Sequence, residues 1–146
     1  LNAYYDTGIL LKLYTAEPES DAVREFVTGR AEAIPFLSIH RSECASALHL
    51  RAFRGECSIA TANRALGDID NDVRSDVLRV FKPDWEKVWW RSADLAQAHA
   101  AVVGCRTLDT LHVASALEMG FRLFVSSDSR QAKLAERIGL EVSSPL

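Results

Sequence analysis

Tyr4-Tyr5-Asp6-Thr7-Gly8-Ile9-Leu10-Leu11-Lys12-Leu13-Tyr14 joins a short apolar strand to a helix through a single acid. Residues 2–6 read as the strand. Residues 7–14 read as the helix, almost continuously apolar at Ile9, Leu10, Leu11 and Leu13. The same seam recurs near the other end, where Leu123-Phe124-Val125-Ser126-Ser127 runs into Asp128 and a helix over 129–138. Between them the pattern alternates. A helix over 21–27 follows the breaker Glu17-Pro18-Glu19-Ser20, then a strand over 33–38 and a helix from 38 or 40 to 53. Ser58 caps a helix through residue 66, and Gly67-Asp68-Ile69-Asp70-Asn71-Asp72 fits no element. A strand over 77–81, a helix over 85–103 in one or two pieces and a helix over 107–119 ended by Gly120 come next. A short strand over 140–142 closes the chain. Strands separated by helices mean βαβ units and a mainly parallel central sheet covered on both faces. The expected fold is therefore α/β, a three-layer α/β/α sandwich in one domain over 1–146.

The bulk composition narrows the function. A chain of 146 residues has room for one substantial core, and 25% charged with 48% hydrophobic residues excludes large-scale disorder. Cys44, Cys57 and Cys105 are odd in number and lack a CxxC spacing, against a disulfide framework or zinc site and in favour of a reducing cytoplasm. No apolar run reaches membrane-spanning length, so no membrane association is expected. Net charge −3 weighs against broad, non-specific coating of nucleic acid. It leaves a nuclease open, because acids committed to a metal are neutralised by it.

Four acids stand at or just beyond strand–helix seams: Asp6, Glu43, Asp109 and Asp128. Each has an ordinary explanation. Asp6 and Asp128 stand where helix N-caps belong. Glu43 and Asp109 fall in first turns, where a negative charge complements the helix dipole. Glu43 shares a face with Ala47 and Leu50. Asp109 shares one with Val113, Ala116 and Gly120, and lies at the second helical position if Thr107 is the cap. Separate explanations do not account for all four falling at one end of a parallel sheet, where ligands of open α/β folds collect. Four converging carboxylates repel unless a cation joins them, and hard oxygen donors suit Mg²⁺ or Mn²⁺.

Other candidates carry less. His40, His49, His99 and His112 show no metal-type spacing; His112, one turn past Asp109, is in reach of the site, but packing as a structural histidine is the favoured reading. Trp85, Trp89 and Trp90 crowd one helix, which suits core packing or an interface better than base stacking. There is no Gly-rich phosphate loop and no G-x-S-x-G elbow.

The blocks 5–14, Ser42-Glu43-Cys44-Ala45-Ser46-Ala47-Leu48, Arg106-Thr107-Leu108-Asp109-Thr110-Leu111-His112-Val113-Ala114 and Ser126-Ser127-Asp128 resemble, in order, those of a PIN domain. Within that family the likeness is to the bacterial VapC-type toxins of toxin–antitoxin pairs, and it covers essentially the whole chain. The resemblance implies a Mg²⁺- or Mn²⁺-dependent endoribonuclease inhibited by a co-expressed antitoxin. Its four acids fall on Asp6, Glu43, Asp109 and Asp128. Gly8 departs from the pattern, since a small hydroxyl residue is usual there; Thr7 and Ser126 supply hydroxyls beside the acids. Metal-activated water would then cleave RNA by inverting attack, leaving a 5′-phosphate and a 3′-hydroxyl. Lys12, Arg106 and Arg130 are the basic residues expected to grip RNA phosphates. An antitoxin contact or a homodimer is expected to take up at least one of the three tryptophans.

Three rivals stand beside this reading. A haloacid dehalogenase-type phosphotransferase needs a second Asp two residues after the first, where this chain has Gly8. A receiver-like signalling module wants paired acids by the first strand and a Lys after a late one; neither is present. A catalytically inactive PIN-like binding module would have no need of all four acids.

Overall fold

The computed structural model describes residues 3–146, so residue 2 of the expected first strand lies outside the described residues. The element order is β1 (Tyr4–Tyr5), α1 (Thr7–Lys12), α2 (Ser20–Arg30), β2 (Ile34–Phe36), α3 (Ser38–Phe53), α4 (Ile59–Arg74), β3 (Leu78–Val80), α5 (Trp85–Val103), α6 (Thr107–Glu118), β4 (Leu123–Val125), α7 (Ser129–Arg137) and β5 (Glu141–Ser143). Every ladder is parallel. β4 lies between β1 and β5, and β2 pairs with β3.

Strand alternation divides the core in two. Successive side chains of a strand point to opposite faces. Tyr4 and Phe124, partners across β1 and β4, join the cluster of Val88, Leu111, Val113 and Leu134 from α5, α6 and α7. Tyr5 and Val125, one residue on, join Ile9, Val23, Leu48 and Ile69 from α1 to α4. Helices thus cover both faces of the sheet, as the alternating pattern requires.

The sheet departs from expectation in one place: among the described residues, β1 and β2 are neighbours without a backbone ladder. A fully buried imidazole bridges them. Leu37 N–H donates to His40 Nδ1 at 3.0 Å, and His40 Nε2–H donates to the Tyr5 carbonyl at 2.8 Å. Burial, above all, pushes His40 down to about 3, so its ring stays neutral and can both accept and donate.

α4 runs well past its expected end, and α5 settles an alternative the sequence left open. α4 runs on to Arg74, because Ala62, Ala65, Leu66 and Ile69 are buried and the partly buried Val73 extends the same stripe. The acid-rich stretch 67–72 belongs to this amphipathic helix, and mid-helix Gly67 costs only about 1 kcal/mol relative to Ala. α5 is one unbroken helix, stopped at Gly104 with φ +75°. Among the described residues no helix is long and apolar enough to cross a membrane.

Candidate active site

The ends of β1 and β4 and the starts of α1, α6 and α7 meet around a cavity of about 690 Å³. Asp6, Glu43, Asp109 and Asp128 all line it, with Gly8, Arg106, Thr107, Leu108, Ser127, Arg130 and Gln131. A slightly larger hollow, lined by Glu17, Arg51, Arg54 and Arg64 among others, contains none of the four acids.

Capping and cavity-lining prove compatible. Asp6 Oδ1 accepts from Ile9 N–H at 2.7 Å and so caps α1. Asp128 Oδ1 accepts from Arg130 and Gln131 N–H at 2.8 and 3.3 Å and caps α7. Asp109 Oδ2 accepts from Arg106 N–H at 2.8 Å. Arg106, not Thr107, is the residue before the helix, so Asp109 occupies its third position rather than its second. From there its carboxylate reaches back over an otherwise unpartnered amide, as acids at this position do.

Glu43 is held differently. The buried stripe of α3 is His40, Cys44 and Leu48, while Leu50 is 45% exposed. Glu43 therefore flanks the apolar stripe instead of heading it as the sequence suggested. Thr7 Oγ1 donates to Glu43 Oε1 at 2.7 Å, and His112 Nε2 makes a very short contact with the same oxygen. His112 is fully buried, as the packed reading has it, and it also hydrogen-bonds the cluster directly, the alternative the sequence left open. Its position i+3 from Asp109, on the same face of a helix, was the available signal.

Glu43, Asp109 and Asp128 thus each give one oxygen to the protein, and Asp6 gives both, because Ser126 Oγ donates to Asp6 Oδ2. Among the described residues, Glu43 Oε2, Asp109 Oδ1 and Asp128 Oδ2 have no hydrogen bond. Burial, the largest influence, and the Asp128 charge raise the Asp6 carboxyl above its ordinary value against hydrogen bonds from Ser126 and Ile9. Burial also raises Glu43, but the hydrogen bonds from His112 and the Thr7 hydroxyl outweigh it and bring the carboxyl below its usual range.

An all-oxygen set of this kind matches a hard divalent ion such as Mg²⁺ or Mn²⁺ in donor chemistry. Among the described residues, however, no three such side chains already close on a common point.

The basic residues separate. Arg106 and Arg130 line the cavity, with Arg130 Nε 3.9 Å from Asp128 Oδ1. Lys12 does not; its ammonium lies 3.9 Å from Glu17, by the other hollow. On α5, Trp89 and Trp90 are 53% and 68% exposed, and Trp85 is half-buried.

Comparison with known proteins bears on this arrangement. The family model for the PIN domain matches residues 3–137. Ribonuclease VapC46 of Mycobacterium tuberculosis (strain ATCC 25618 / H37Rv) is 31% identical over 144 residues, spanning 97% of this chain and 96% of the relative. The crystal structure of FitAcB from Neisseria gonorrhoeae aligns with a TM-score of 0.65 at 14% identity, covering 99% of this chain and 98% of that one, a likeness of fold. A match over nearly the whole chain, an α/β fold of parallel strands and a relative above 30% identity agree: the chain belongs to the PIN domain family, among its VapC-type members.

Proposed function

We propose that this protein is a metal-dependent endoribonuclease, the toxin of a VapBC-type toxin–antitoxin pair acting in the cytoplasm. The observation that carries the reading is the meeting of four carboxylates, from three separate helix starts and the flank of α3, around one cavity. The relative's designation as a ribonuclease supports RNA as the substrate class. Asp6, Glu43, Asp109 and Asp128 are the residues that would hold Mg²⁺, or Mn²⁺ in its place.

When bound, the ion would supply Lewis acidity toward a phosphate oxygen and a water acidic enough to attack at neutral pH. The chain's own part is positioning. Caps fix the Asp6, Asp109 and Asp128 carboxylates against helix N-termini, and Thr7 and His112 fix Glu43. Ser126 holds Asp6 across the β1–β4 seam. Arg106 and Arg130, on the cavity wall, are placed to pair with phosphates flanking the scissile one. An antitoxin that covers this cavity would inhibit the enzyme. A homodimer would cover the exposed aromatic surface of α5.

The test is incubation of the purified protein with total RNA, with Mg²⁺ and with EDTA. Cleavage that EDTA abolishes supports the reading. RNA left intact with Mg²⁺, at protein concentrations where it is folded, overturns it in favour of a binding module.

A further inference from the structure

Tyr4 and His112 are both fully buried, on β1 and α6, and neither lines the acid cavity. The Tyr4 hydroxyl lies 2.7 Å from His112 Nδ1. The other ring nitrogen meets Glu43 Oε1 and lies 3.2 Å from Thr7 Oγ1. A carboxylate only accepts, so the nitrogen facing Glu43 must carry hydrogen. In the neutral ring Nδ1 is then the acceptor, and the Tyr4 phenol supplies its proton. A phenol carries its hydrogen at neutral pH and can donate it. Thr7 donates to the same Glu43 oxygen, so its own oxygen is free to accept from His112.

We propose that Tyr4 and His112 are a buried positioning pair that locks Glu43 by one oxygen and so leaves its other oxygen for the cation. The consequence for metal binding rests on the nuclease reading above; the pairing itself does not. Without the phenol, Nδ1 has no donor and the ring gains freedom to carry its hydrogen there. That would set a bare Nε2 against the Glu43 carboxylate, two acceptors facing each other, and the carboxylate would turn away. Tyr4→Phe removes only the hydroxyl, and the ring retains its stacking on Phe124. Partners of this kind behind a metal-binding group typically affect metal affinity by about 10–100-fold.

The experiment compares wild type, Tyr4→Phe, His112→Phe, Asp109→Asn and Tyr5→Phe as a control phenol on the opposite face of β1. Mn²⁺ affinity is measured by calorimetry, folding by thermal denaturation, and ring protonation by ¹⁵N resonances of labelled histidine in metal-free protein. The expected result is hydrogen on Nε2 of His112 in wild type, and Mn²⁺ binding roughly tenfold weaker in folded Tyr4→Phe but unchanged in Tyr5→Phe. His112→Phe should bind more weakly still; if it does not fold, Tyr4→Phe carries the comparison. Wild-type affinity in Tyr4→Phe, or hydrogen on Nδ1 in wild type, overturns the proposal. Where Asp109→Asn loses Mn²⁺ and Tyr4→Phe does not, only the pairing fails. Where Asp109→Asn also binds as wild type, the metal site fails, and the ring resonances still decide the pairing.

Discussion

Ser126 Oγ donates a hydrogen bond to Asp6 Oδ2, tying the carboxyl end of β4 to the carboxyl end of β1. The two residues are 120 positions apart, and the parallel ladder that pairs Tyr5 with Val125 brings them together. The same hydroxyl accepts from Asp128 N–H at 3.0 Å, so one serine links the loops that carry two of the four acids. Removing it by Ser126→Ala leaves a buried carboxylate oxygen unpartnered, which costs about 1–3 kcal/mol. Thermal or urea denaturation should register that loss, and a variant as stable as the parent would show the bond to be dispensable.

Asp6→Asn should abolish RNA cleavage and weaken Mn²⁺ binding, while leaving the metal-free fold intact. The raised Asp6 carboxyl means the folded state favours its protonated form. The linkage sign follows. The folded protein binds more protons than the unfolded one as pH rises from the ordinary carboxylate value through the raised one, so stability falls across that window. Asn mimics the protonated acid and still caps Ile9. In EDTA, the melting temperature of Asp6→Asn should therefore decline less with rising pH than wild type. Parallel curves would refute the buried-acid explanation.

His40 carries the opposite dependence. Its folded value is near 3 against about 6.5 in the unfolded chain, so the unfolded chain takes up the extra proton between those values. Stability contributed by the neutral ring is full above about 6.5 and is lost as pH falls toward 3. His40→Gln should flatten that acid limb and lower stability at neutral pH, since the bridge from Leu37 to Tyr5 depends on both ring nitrogens. A pH series of urea midpoints reads both effects.

Arg106→Ala should weaken RNA binding and reduce its salt dependence by roughly one counterion, with Mn²⁺ affinity little changed. Arg130→Ala should behave alike. Lys12→Ala should not, because that ammonium lies by Glu17 and away from the acid cavity. Affinities across a salt series in an Asp109→Asn background make the comparison without cleavage. Identical slopes for all three variants and the parent would reduce the arginines to ordinary surface.

The exposed indole of Trp89 lines a hollow of about 470 Å³ together with Trp85, Ile39, Leu108 and Leu111, and the neighbouring Trp90 on the same helix is exposed as well. Exposed aromatic surface of this extent on one helix is characteristic of an interface. Trp89→Glu should shift the protein toward monomer in sedimentation equilibrium, with cleavage per chain measured alongside. A parent that is already monomeric at all concentrations would assign the surface to a different partner.

The sequence by itself determined the α/β class, the alternation of strands and helices and the candidate acids, because hydrophobic period and capping chemistry are local. It misread the stretch 67–72, where polar residues hid a stripe whose buried members are spaced three and four apart. Locality also left Asp84 and Asp128 alike: both follow a strand, and both cap a helix. Only the tertiary structure separates them. β4 lies beside β1, which brings Asp128 to the cavity, whereas β3, among the described residues, pairs with β2 alone and leaves Asp84 exposed. His112 shows the same limit. Its spacing from Asp109 was legible, but its bonds to Tyr4 and Glu43 join residues 108 and 69 positions away, and only packing sets such distances.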